Sequence, residues 1–432
     1  MKEDHSLSEA YRTIPVPRGS SLWRKWLAFV GPGLMVAVGY MDPGNWATDI
    51  VGGARYGYTL LSIILISNLI AMLMQHLALK LGIATGMDLA QTCRKSFSKP
   101  VVVLLWLLAE IAIAATDLAE LIGSAIALQL LFGIPLLAGV LITTADVFII
   151  LFLQEKKFRY LEMIIISLIF IISCCFIYEL TLSSPHWGQA AKSLIPSSAI
   201  FTDTGMLLIA IGILGATVMP HNLYLHSSII QTRAFDMDVA GKKDAVKWAT
   251  LDSTFSLFLA FFINASILIL AASAFNTHGL TDVDEIDKAY ILLEGVLGNA
   301  LAPTIFALAL LAAGQNSTIT GTIAGQIVME GFMNIRLRPW LRRIITRLIA
   351  LIPAIIVVTS TGSSHTTDML VYSQVVLSLQ LSFAVIPLVI FTSDRNIMQN
   401  FVNPLWIKLL AGFSAILIAV LNIFLVFKTL TG

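Results

Sequence analysis

Apolar residues fill most of this chain in long runs, and short polar segments separate one run from the next. Eleven of the runs are long enough to cross the hydrocarbon core of a bilayer as helices, which takes about 20 residues. They lie at approximately residues 27–56, 58–82, 101–132, 135–154, 161–183, 206–232, 249–274, 299–328, 344–360, 369–392 and 405–428. Continuous runs of this length exclude an outer-membrane barrel, whose short strands alternate apolar and polar residues. The pattern therefore predicts an all-α integral membrane protein with eleven transmembrane helices.

The composition agrees with this prediction. Hydrophobic residues make up 57% of the chain and charged residues only 12%, with a mean hydropathy of +0.86, whereas a soluble domain carries about 25% charged residues. The first 22 residues are polar and contain no apolar signal-peptide core. Residues 1–22 are therefore expected to form a disordered cytoplasmic tail. The three cysteines show neither a disulfide framework nor a zinc-binding spacing.

Lysines and arginines are distributed asymmetrically along the chain. If the N-terminus lies in the cytoplasm, all but four of the 27 basic residues fall on the inner side, the exceptions being Arg55, Lys192, Lys288 and Lys428. This distribution follows the positive-inside rule. It predicts a multi-pass protein of the cell membrane whose C-terminus, after eleven spans, is extracellular. The net charge of +1 gives no indication of a nucleic-acid partner, and no obligate protein partner is evident.

Two helix-breaking motifs interrupt the first and the sixth apolar runs near their midpoints. They are Met41-Asp42-Pro43-Gly44-Asn45 and Met219-Pro220-His221-Asn222. The first run would cross outward and the sixth inward, with both breaks at a similar depth. Such a pair of interrupted segments, one in each half, is the best sequence indication of a transporter's binding site. Within a single membrane domain, the pattern predicts two inverted five-helix repeats and an added C-terminal helix, at residues 23–183, 206–392 and 405–428.

The prolines at these breaks free backbone carbonyl groups. A proline inside a helix lacks an N–H and clashes with the carbonyl four residues earlier. Pro43 therefore frees the carbonyl of Gly39, and Pro220 frees that of Ala216. Irregular backbone at this depth survives only where it lines a cavity enclosed by protein, so we expect the two freed carbonyls to face an internal site.

The side chains at the breaks indicate what that site binds. A carboxylate near the bilayer centre costs about 2.5–3.5 kcal/mol on insertion scales, so Asp42 is a functional residue by default. Asn45 adds a carboxamide oxygen and Met219 adds a thioether. One anion, neutral oxygens and a sulfur suit a divalent first-row transition metal, whereas Mg²⁺ and Ca²⁺ prefer oxygen ligands alone. A methionine in an apolar helix is by itself more often a packing residue.

Both motifs resemble those of a known family. Met41-Asp42-Pro43-Gly44-Asn45 and Ala216-Thr217-Val218-Met219-Pro220-His221-Asn222 are similar to the first-helix and sixth-helix signatures of the Nramp family of proton-coupled divalent metal ion transporters. Gly314-Gln315-Asn316-Ser317-Thr318-Ile319-Thr320-Gly321, with Gly325-Gln326, resembles that family's transport motif. The resemblance covers residues 24–428 and indicates a bacterial member.

The resemblance implies a LeuT-like fold with discontinuous first and sixth helices, and proton-coupled uptake of Mn²⁺ or Fe²⁺, with related ions such as Cd²⁺ also accepted. Carried over by position, it implies as metal ligands Asp42, Asn45, the Ala216 carbonyl, Met219 and, in some states, Gln374. The chain matches the family pattern at each of these positions. This match argues against a magnesium-type relative or one that binds no metal.

Three acidic residues in the third run suggest a proton path. Glu110 and Asp117 share a helix face, and Glu120 lies one turn beyond Asp117. Charged residues inside a membrane usually pair with one another, and Arg342 and Arg343 are the expected partners, as the resemblance also suggests. The acids would carry a proton from the Asp42 region towards the cytoplasm. The alternative interpretation is a static buried ion-pair network.

His221 extends this hypothesis, because it follows Pro220 beside the site and a histidine can titrate near neutral pH. His226 lies five residues further, about 140° around the helix, so the two imidazoles do not form one metal-binding face. A metal cation beside Asp42 would lower the proton affinity of its carboxylate, and this would link metal entry to proton release.

Three other functions remain to be distinguished from metal transport. An ion-coupled symporter of organic solutes, such as amino acids, shares the expected architecture, but Asp42 would repel a substrate carboxylate. An intramembrane metalloprotease would need a motif such as His-Glu-x-x-His, which the sequence lacks. A pore generally uses rings of carbonyls or charges from several subunits. No ATP site, cofactor motif or enzymatic constellation is visible, so uptake would use an existing ion gradient.

Overall fold

A computed structural model describes residues 5–17, 22–154, 158–336, 338–361 and 366–431. For some helical residues within these ranges only the backbone is described, namely 146–154, 339–340, 342–343, 346, 357–358, 360–361, 366–368, 425 and 428–431. Helices dominate the described chain, and two-residue strands β1 (Ile14–Pro15) and β2 (Arg233–Ala234) pair in parallel.

The α-helices are, in chain order, α1 (Leu22–Phe29), α2 (Pro32–Val38), α3 (Pro43–Tyr56), α4 (Leu61–Thr85), α5 (Leu89–Ser96), α6 (Lys99–Phe132), α7 (Leu136–Gln154), α8 (Phe158–Ser183), α9 (Trp187–Lys192), α10 (Ala199–Thr202), α11 (Thr204–Thr217), α12 (Pro220–Ile229), α13 (Val239–Ala274), α14 (Ile286–Leu297), α15 (Ala302–Met333), α16 (Pro339–Thr361), α17 (Thr366–Ser393), α18 (Arg395–Met398) and α19 (Leu405–Thr431). Short 3₁₀ turns lie at Gly39–Met41, Gly57–Leu60, Ile230–Thr232, Asn276–His278 and Gln399–Phe401.

Helices occupy every one of the predicted apolar runs. Among the described residues, seven helical segments are long and apolar enough to cross a membrane. Shorter apolar helices lie at Pro32–Met41, Leu136–Ala145 and Arg347–Ile356. The largest difference in a boundary is at α13, which begins ten residues before the predicted start at 249, because the Asp238 side chain caps it by accepting from the Gly241 N–H. Many large apolar side chains remain exposed on the outside of the helices, as expected for a surface that contacts lipid.

Both predicted helix breaks are present. α2 ends at Val38, a 3₁₀ turn follows, and Asp42 has an extended backbone (φ −70°, ψ 165°) before Pro43 starts α3. In the second half, α11 ends at Thr217 and Pro220 starts α12. Around the breaks, α3 packs against α11, α13 and α17, while α6 packs against α15, α16 and α17. The two breaks therefore meet in the interior of the helix bundle.

The N-terminal segment differs from the prediction. The expectation of a disordered tail is wrong for residues 5–17, which fold against the helices. The Leu7 N–H donates to Glu330 Oε2 at 3.1 Å and the Arg12 N–H donates to the Gln231 carbonyl at 3.0 Å. Beyond them, Ile14 of β1 pairs with Arg233 of β2. These contacts connect the segment to chain more than 200 residues away, so the local sequence could not reveal them.

Candidate metal site

Asp42 and Asn45 form the first part of a polar site at the break between α2 and α3. Asp42 is the N-cap of α3, and its Oδ1 atom accepts from the Asn45 N–H at 2.8 Å and from Asn45 Nδ2 at 2.6 Å. Pro43 occupies the first helical position, where its missing N–H would have had no partner in any case. The four residues Asp-Pro-Gly-Asn therefore end one helix and start the next.

The second break adds a backbone carbonyl and a thioether. The Ala216 carbonyl, in the last turn of α11, accepts from Asn45 Nδ2 at 3.1 Å. It is the carbonyl that Pro220 was predicted to free. Met219 is the N-cap of α12, and its side chain packs with Ala112 of α6 and Leu377 of α17. The C-terminal ends of half-helices carry partial negative charge, and such ends and unwound carbonyls coordinate cations in transporters.

Gln374 reaches the site from α17. Its Nε2 atom lies 3.5 Å from Asp42 Oδ2 and 3.2 Å from Ser373 Oγ. Its Oε1 atom is buried and accepts no hydrogen bond from any residue that the structure describes. Gly44 permits this approach, because a Cβ atom at position 44 would overlap with Gln374 Nε2. The side chain is therefore positioned by a glycine of the break itself, and it presents an oxygen that is free to bind a cation.

The site contains one carboxyl group and is closed to solvent. Five residues that supply its donor groups are each at most 1% exposed: Asp42, Asn45, Ala216, Met219 and Gln374. Within the described part of the chain no lysine or arginine forms an ion pair with Asp42, and a buried carboxylate without a counter-charge is costly. No group of three or more His, Cys, Asp and Glu among the described residues could hold a metal ion. A cation here would depend on carboxamide, carbonyl and thioether donors beside one carboxylate.

Asp117 and Glu120 of α6 converge on a different arginine from those expected. Arg347 Nη1, on α16, lies 4.0 Å from Asp117 Oδ1 and 3.8 Å from Glu120 Oε2. Ser317 Oγ donates to Glu120 Oε1 at 2.9 Å, which brings in the Gly314–Gly321 motif of α15. The side chains of Arg342 and Arg343 lie outside the described residues, so their part in this cluster stays a prediction. Arg347 lies one helical turn after Arg343 and therefore on the same helix face. This spacing could have predicted Arg347 as a partner of the acids from the sequence.

His221 lies between the metal site and this acidic cluster. It is buried, and its Nδ1 atom is 3.5 Å from Thr116 Oγ1, one residue before Asp117. Thr116 was not anticipated from the sequence. Glu110, earlier on α6, is half-buried, and its Oε1 atom accepts from Trp106 Nε1 at 3.1 Å. Of the three acids of α6, two are fully buried beside Arg347 and the third, Glu110, is half-buried beside Trp106.

A second polar network, also missed from the sequence, supports the first break. Asn264 Nδ2 donates to the Tyr40 carbonyl at 2.7 Å, which satisfies another group freed at the end of α2. Gln75 Nε2 donates to the Tyr40 hydroxyl at 2.9 Å, and Gln75 Oε1 lies 3.0 Å from His226 Nδ1. His226 therefore belongs to a supporting network, and His76 similarly contacts Thr250 at 2.9 Å. The carboxamides of Gln75 and Asn264, which lie inside apolar runs of the sequence, could have indicated this network.

Comparisons with known proteins bear on this site. The sequence model of the family described as natural resistance-associated macrophage protein-like (Nramp) matches residues 33–428. The divalent metal cation transporter MntH of Listeria monocytogenes serotype 4a is 59% identical over 427 residues, covering 99% of this chain and 95% of that protein. The protein of the same name from Nostoc sp. is 57% identical, covering 99% of this chain and 97% of its own.

Comparisons with solved structures agree with these sequence comparisons. The Eremococcus coleocola manganese transporter, in complex with an aromatic bis-isothiourea compound, superposes with a TM-score of 0.91 at 43% identity, covering 97% of this chain and 90% of that one. Mhp1, a nucleobase-cation-symport-1 family transporter, and MhsT, in complex with L-phenylalanine, each reach 0.62, at 14% and 17% identity. They cover 93% and 90% of this chain, and 93% and 98% of their own. At that identity the likeness shows a shared, LeuT-like fold alone.

Proposed function

Because the chain belongs to the Nramp family, it is a membrane transporter of divalent metal cations and not an enzyme, and we propose that it takes up Mn²⁺ or Fe²⁺ together with protons. The observation that carries the proposal is the arrangement around Asp42. This buried carboxylate has no basic partner among the described residues, and Asn45 and Gln374 lie directly against it. A divalent cation would supply the missing positive charge.

We propose that five groups bind the transported metal. The carboxylate of Asp42 supplies the charge, and neutral oxygens come from the carboxamides and from the backbone carbonyl. The remaining ligand is a thioether, so the full set is Asp42, Asn45, Ala216, Met219 and Gln374. Binding would require Asn45 to exchange its present hydrogen bonds to Asp42 and Ala216 for contact through its oxygen. Gln374 already presents an oxygen that has no partner in the described chain.

The thioether is the proposed basis of metal selectivity. A sulfur ligand favours Mn²⁺, Fe²⁺ and Cd²⁺ over Ca²⁺ and Mg²⁺, which bind oxygen. Met219 is held in place by Ala112 and Leu377 from two different helices. A side chain packed in this way loses little additional freedom when it binds a metal. The site would then discriminate against the far more abundant hard cations.

We propose that protons leave the site through His221 and the acids of α6. The contact between His221 and Thr116 extends from the metal site to the neighbour of Asp117. Asp117 and Glu120 then share Arg347, while Glu110 lies two turns before Asp117 on α6. Arg342 and Arg343, further towards the start of α16, are proposed as additional ion-pair partners of the acids along this path. A metal ion at Asp42 would displace its proton by electrostatic repulsion, and this would couple the two movements.

The membrane topology is also a proposal. Eleven spans with a cytoplasmic N-terminus account for the distribution of basic residues, and they place the C-terminus outside the cell. Two inverted five-helix repeats, 23–183 and 206–392, would then each contain one broken helix, with α19 as an addition. The two breaks meet at one site, as a pair of inverted repeats would require. Alternating access would arise from motion of the repeats around this site.

Uptake of Mn²⁺ into proteoliposomes that contain an internal pH reporter tests the proposal. Wild-type protein is expected to transport Mn²⁺ and acidify the lumen, in the presence of excess Ca²⁺. Asp42→Asn is expected to abolish both. Asp203→Asn is the matched control, because Asp203 is also an N-cap aspartate on a broken helix, yet it is exposed and remote from the site.

Two results would change the conclusion. Mn²⁺ entry without acidification would leave the metal site in place and reduce Asp117, Glu120 and Arg347 to a structural ion-pair cluster. No Mn²⁺ entry under any gradient, together with uptake of an amino acid, would favour an organic-solute symporter of the same fold.

A further inference from the structure

We propose that a cavity bounded by α4, α5, α13 and α18 binds an anionic phosphate group, either of a phospholipid headgroup or of a soluble phosphate. The cavity has a volume of about 520 Å³, which is within the range of small-molecule sites, about 300–1,000 Å³. The topology proposed above places it at the cytoplasmic face, and that placement is the one part of the inference that rests on the proposed function. The cavity shares no residue with the metal site.

Two lysines give the cavity its charge. Lys95 of α5 and Lys242 of α13 both line it. Lys242 Nζ donates to the Ala84 carbonyl at 2.8 Å, a contact that fixes the ammonium group without neutralising it. Within the described residues neither lysine takes part in a salt bridge, and no aspartate or glutamate lines the cavity. Two positive charges therefore face one half-open cavity without a counter-ion among the described residues.

Neutral hydrogen-bond donors complete the lining. The side chains of Ser96, Asn396 and Gln399 also line the cavity, and no hydrogen bond of these side chains is made within the described residues. The acids close to the lining residues along the chain have other partners: Asp88 accepts from the Gln91 N–H, Asp244 pairs with Lys25, and Asp394 caps α18 by accepting from the Asn396 N–H at 2.8 Å. Several donors around two fixed cations suit a tetrahedral oxyanion better than a single carboxylate, because phosphate offers more acceptor oxygens.

The depth of the cavity favours a lipid as the source of the phosphate. In the proposed topology the cavity lies at the cytoplasmic ends of the apolar runs of α4 and α13, at the level where lipid headgroups are expected. Basic pockets between transmembrane helices on the cytoplasmic side bind anionic headgroups. A bound phosphate would join Lys95 of α5 to Lys242 of α13, and so link two helices from different halves of the chain.

Binding of phosphatidylglycerol to the detergent-solubilised transporter, titrated by native mass spectrometry, tests the inference. The double variant Lys95→Gln/Lys242→Gln is expected to weaken binding about 25-fold, since each lysine near an anionic headgroup contributes about a factor of five. Lys99→Gln/Lys243→Gln is the matched control: both residues are exposed and do not line the cavity. The control removes the same net charge from the same two regions and is expected to bind as the wild type does.

Two further measurements identify the source of the phosphate and check that the variants are folded. Titration with inorganic phosphate separates a soluble ligand from a lipid: competition at millimolar concentration would assign a free phosphate, and its absence a headgroup. Mn²⁺ uptake in phosphatidylcholine vesicles checks that each variant folds, and the binding result does not depend on it. Equal affinity of the two double variants for phosphatidylglycerol, or binding of neither probe by wild-type protein, would overturn the inference.

Discussion

Arg347 Nη1 lies 3.8 Å from Glu120 Oε2, and both side chains are buried. The same guanidinium lies 4.0 Å from Asp117 Oδ1 and donates from Nη2 to Thr318 Oγ1 at 3.3 Å. Removing ions from water is costly, and the cost is offset only while the partners stay together. The cluster therefore ties α6, α15 and α16 together beside the proposed proton path.

Replacement of Arg347 by glutamine should show how much folding and proton movement depend on these ion pairs. Arg347→Gln is expected to lower the free energy of unfolding by about 3–5 kcal/mol, because it removes a buried cation that faces two buried carboxylates. Metal-driven acidification of proteoliposomes should be lost as well. Arg347→Lys keeps the charge and should retain part of the stability, while Ser317→Ala removes one hydrogen bond and should cost about 1 kcal/mol. Wild-type stability and wild-type acidification in Arg347→Gln would show that the ion pairs are not needed for either.

A methyl group at position 44 should disturb the metal site without touching a ligand. In Gly44→Ala the added Cβ would overlap with Gln374 Nε2, so Gln374 would have to leave Asp42. Loss of a positioned partner typically weakens metal binding about 10–100-fold, and isothermal titration with Mn²⁺ would measure this. Gly212→Ala is the control, because a Cβ there meets Thr48 at an ordinary 3.6 Å. Equal Mn²⁺ affinity in both variants would show that Gln374 does not contribute to binding.

The thioether can be tested separately from the oxygens. Met219→Ala is expected to reduce discrimination between Mn²⁺ and Ca²⁺ more than it reduces Mn²⁺ transport itself, because the remaining ligands are the oxygens that Ca²⁺ prefers. Competition by Ca²⁺ during Mn²⁺ uptake is the measurement. Met74→Ala removes an equally buried methionine of α4 away from the site and should leave discrimination unchanged. Unaltered competition in Met219→Ala would remove the sulfur from the selectivity argument.

The parts of this structure that were predictable from the sequence are those with local causes. A proline in an apolar run has a fixed effect on the carbonyl four residues earlier, so both helix breaks and the free carbonyl of Ala216 could be placed before the fold was known. Asp42 could be placed in the buried interior for a similar reason, since a carboxylate in an apolar run is unlikely to face lipid. In these cases a single residue type and its neighbours in the sequence were sufficient for the prediction.

The parts that were missed depend on how distant helices are rotated against each other. Arg342, Arg343 and Arg347 lie within two turns of α16, and the sequence does not decide which of them points at α6. The order of the N-terminal segment depends on Glu330 and Gln231, far along the chain. A polar composition predicts disorder when no partner is known, and here the partners are supplied by the folded helices.

The contacts of that segment lead to a prediction about its stability. Leu7 is buried although its φ of 58° is unfavourable for leucine, so its side-chain packing must offset the backbone strain. Leu7→Ala is expected to cost about 2–5 kcal/mol of local packing and to release residues 5–17. Cleavage by trypsin after Arg12, whose N–H and guanidinium are held by Gln231 and Phe235, should accelerate. Glu9→Ala, at an exposed position, should not change the rate, and an unchanged rate in Leu7→Ala would contradict the packing.

The stability of the protein should depend on pH through Asp88, which caps α5 outside the membrane-spanning helices. Burial raises the pKa of Asp88 from 3.8 to about 6, despite the hydrogen bond from the Gln91 N–H and the positive charge of Arg94, which lower it. Between these two values the folded protein holds a proton that the unfolded chain releases. Stability from this group is therefore complete below about pH 4 and is lost as the pH rises through about 6.

Asp88→Asn should remove this dependence, because asparagine keeps the capping hydrogen bond but carries no charge. At pH 7.5 the variant is expected to be more stable than wild type by at most about 3 kcal/mol, and at pH 4 the two should be alike. Thermal unfolding in detergent across this pH range would measure the difference. Asp238→Asn, at the exposed cap of α13, should follow the wild-type curve. If Asp88→Asn also follows it, then the Asp88 carboxylate stays hydrated or paired in the folded protein, and its burial does not disfavour the charge.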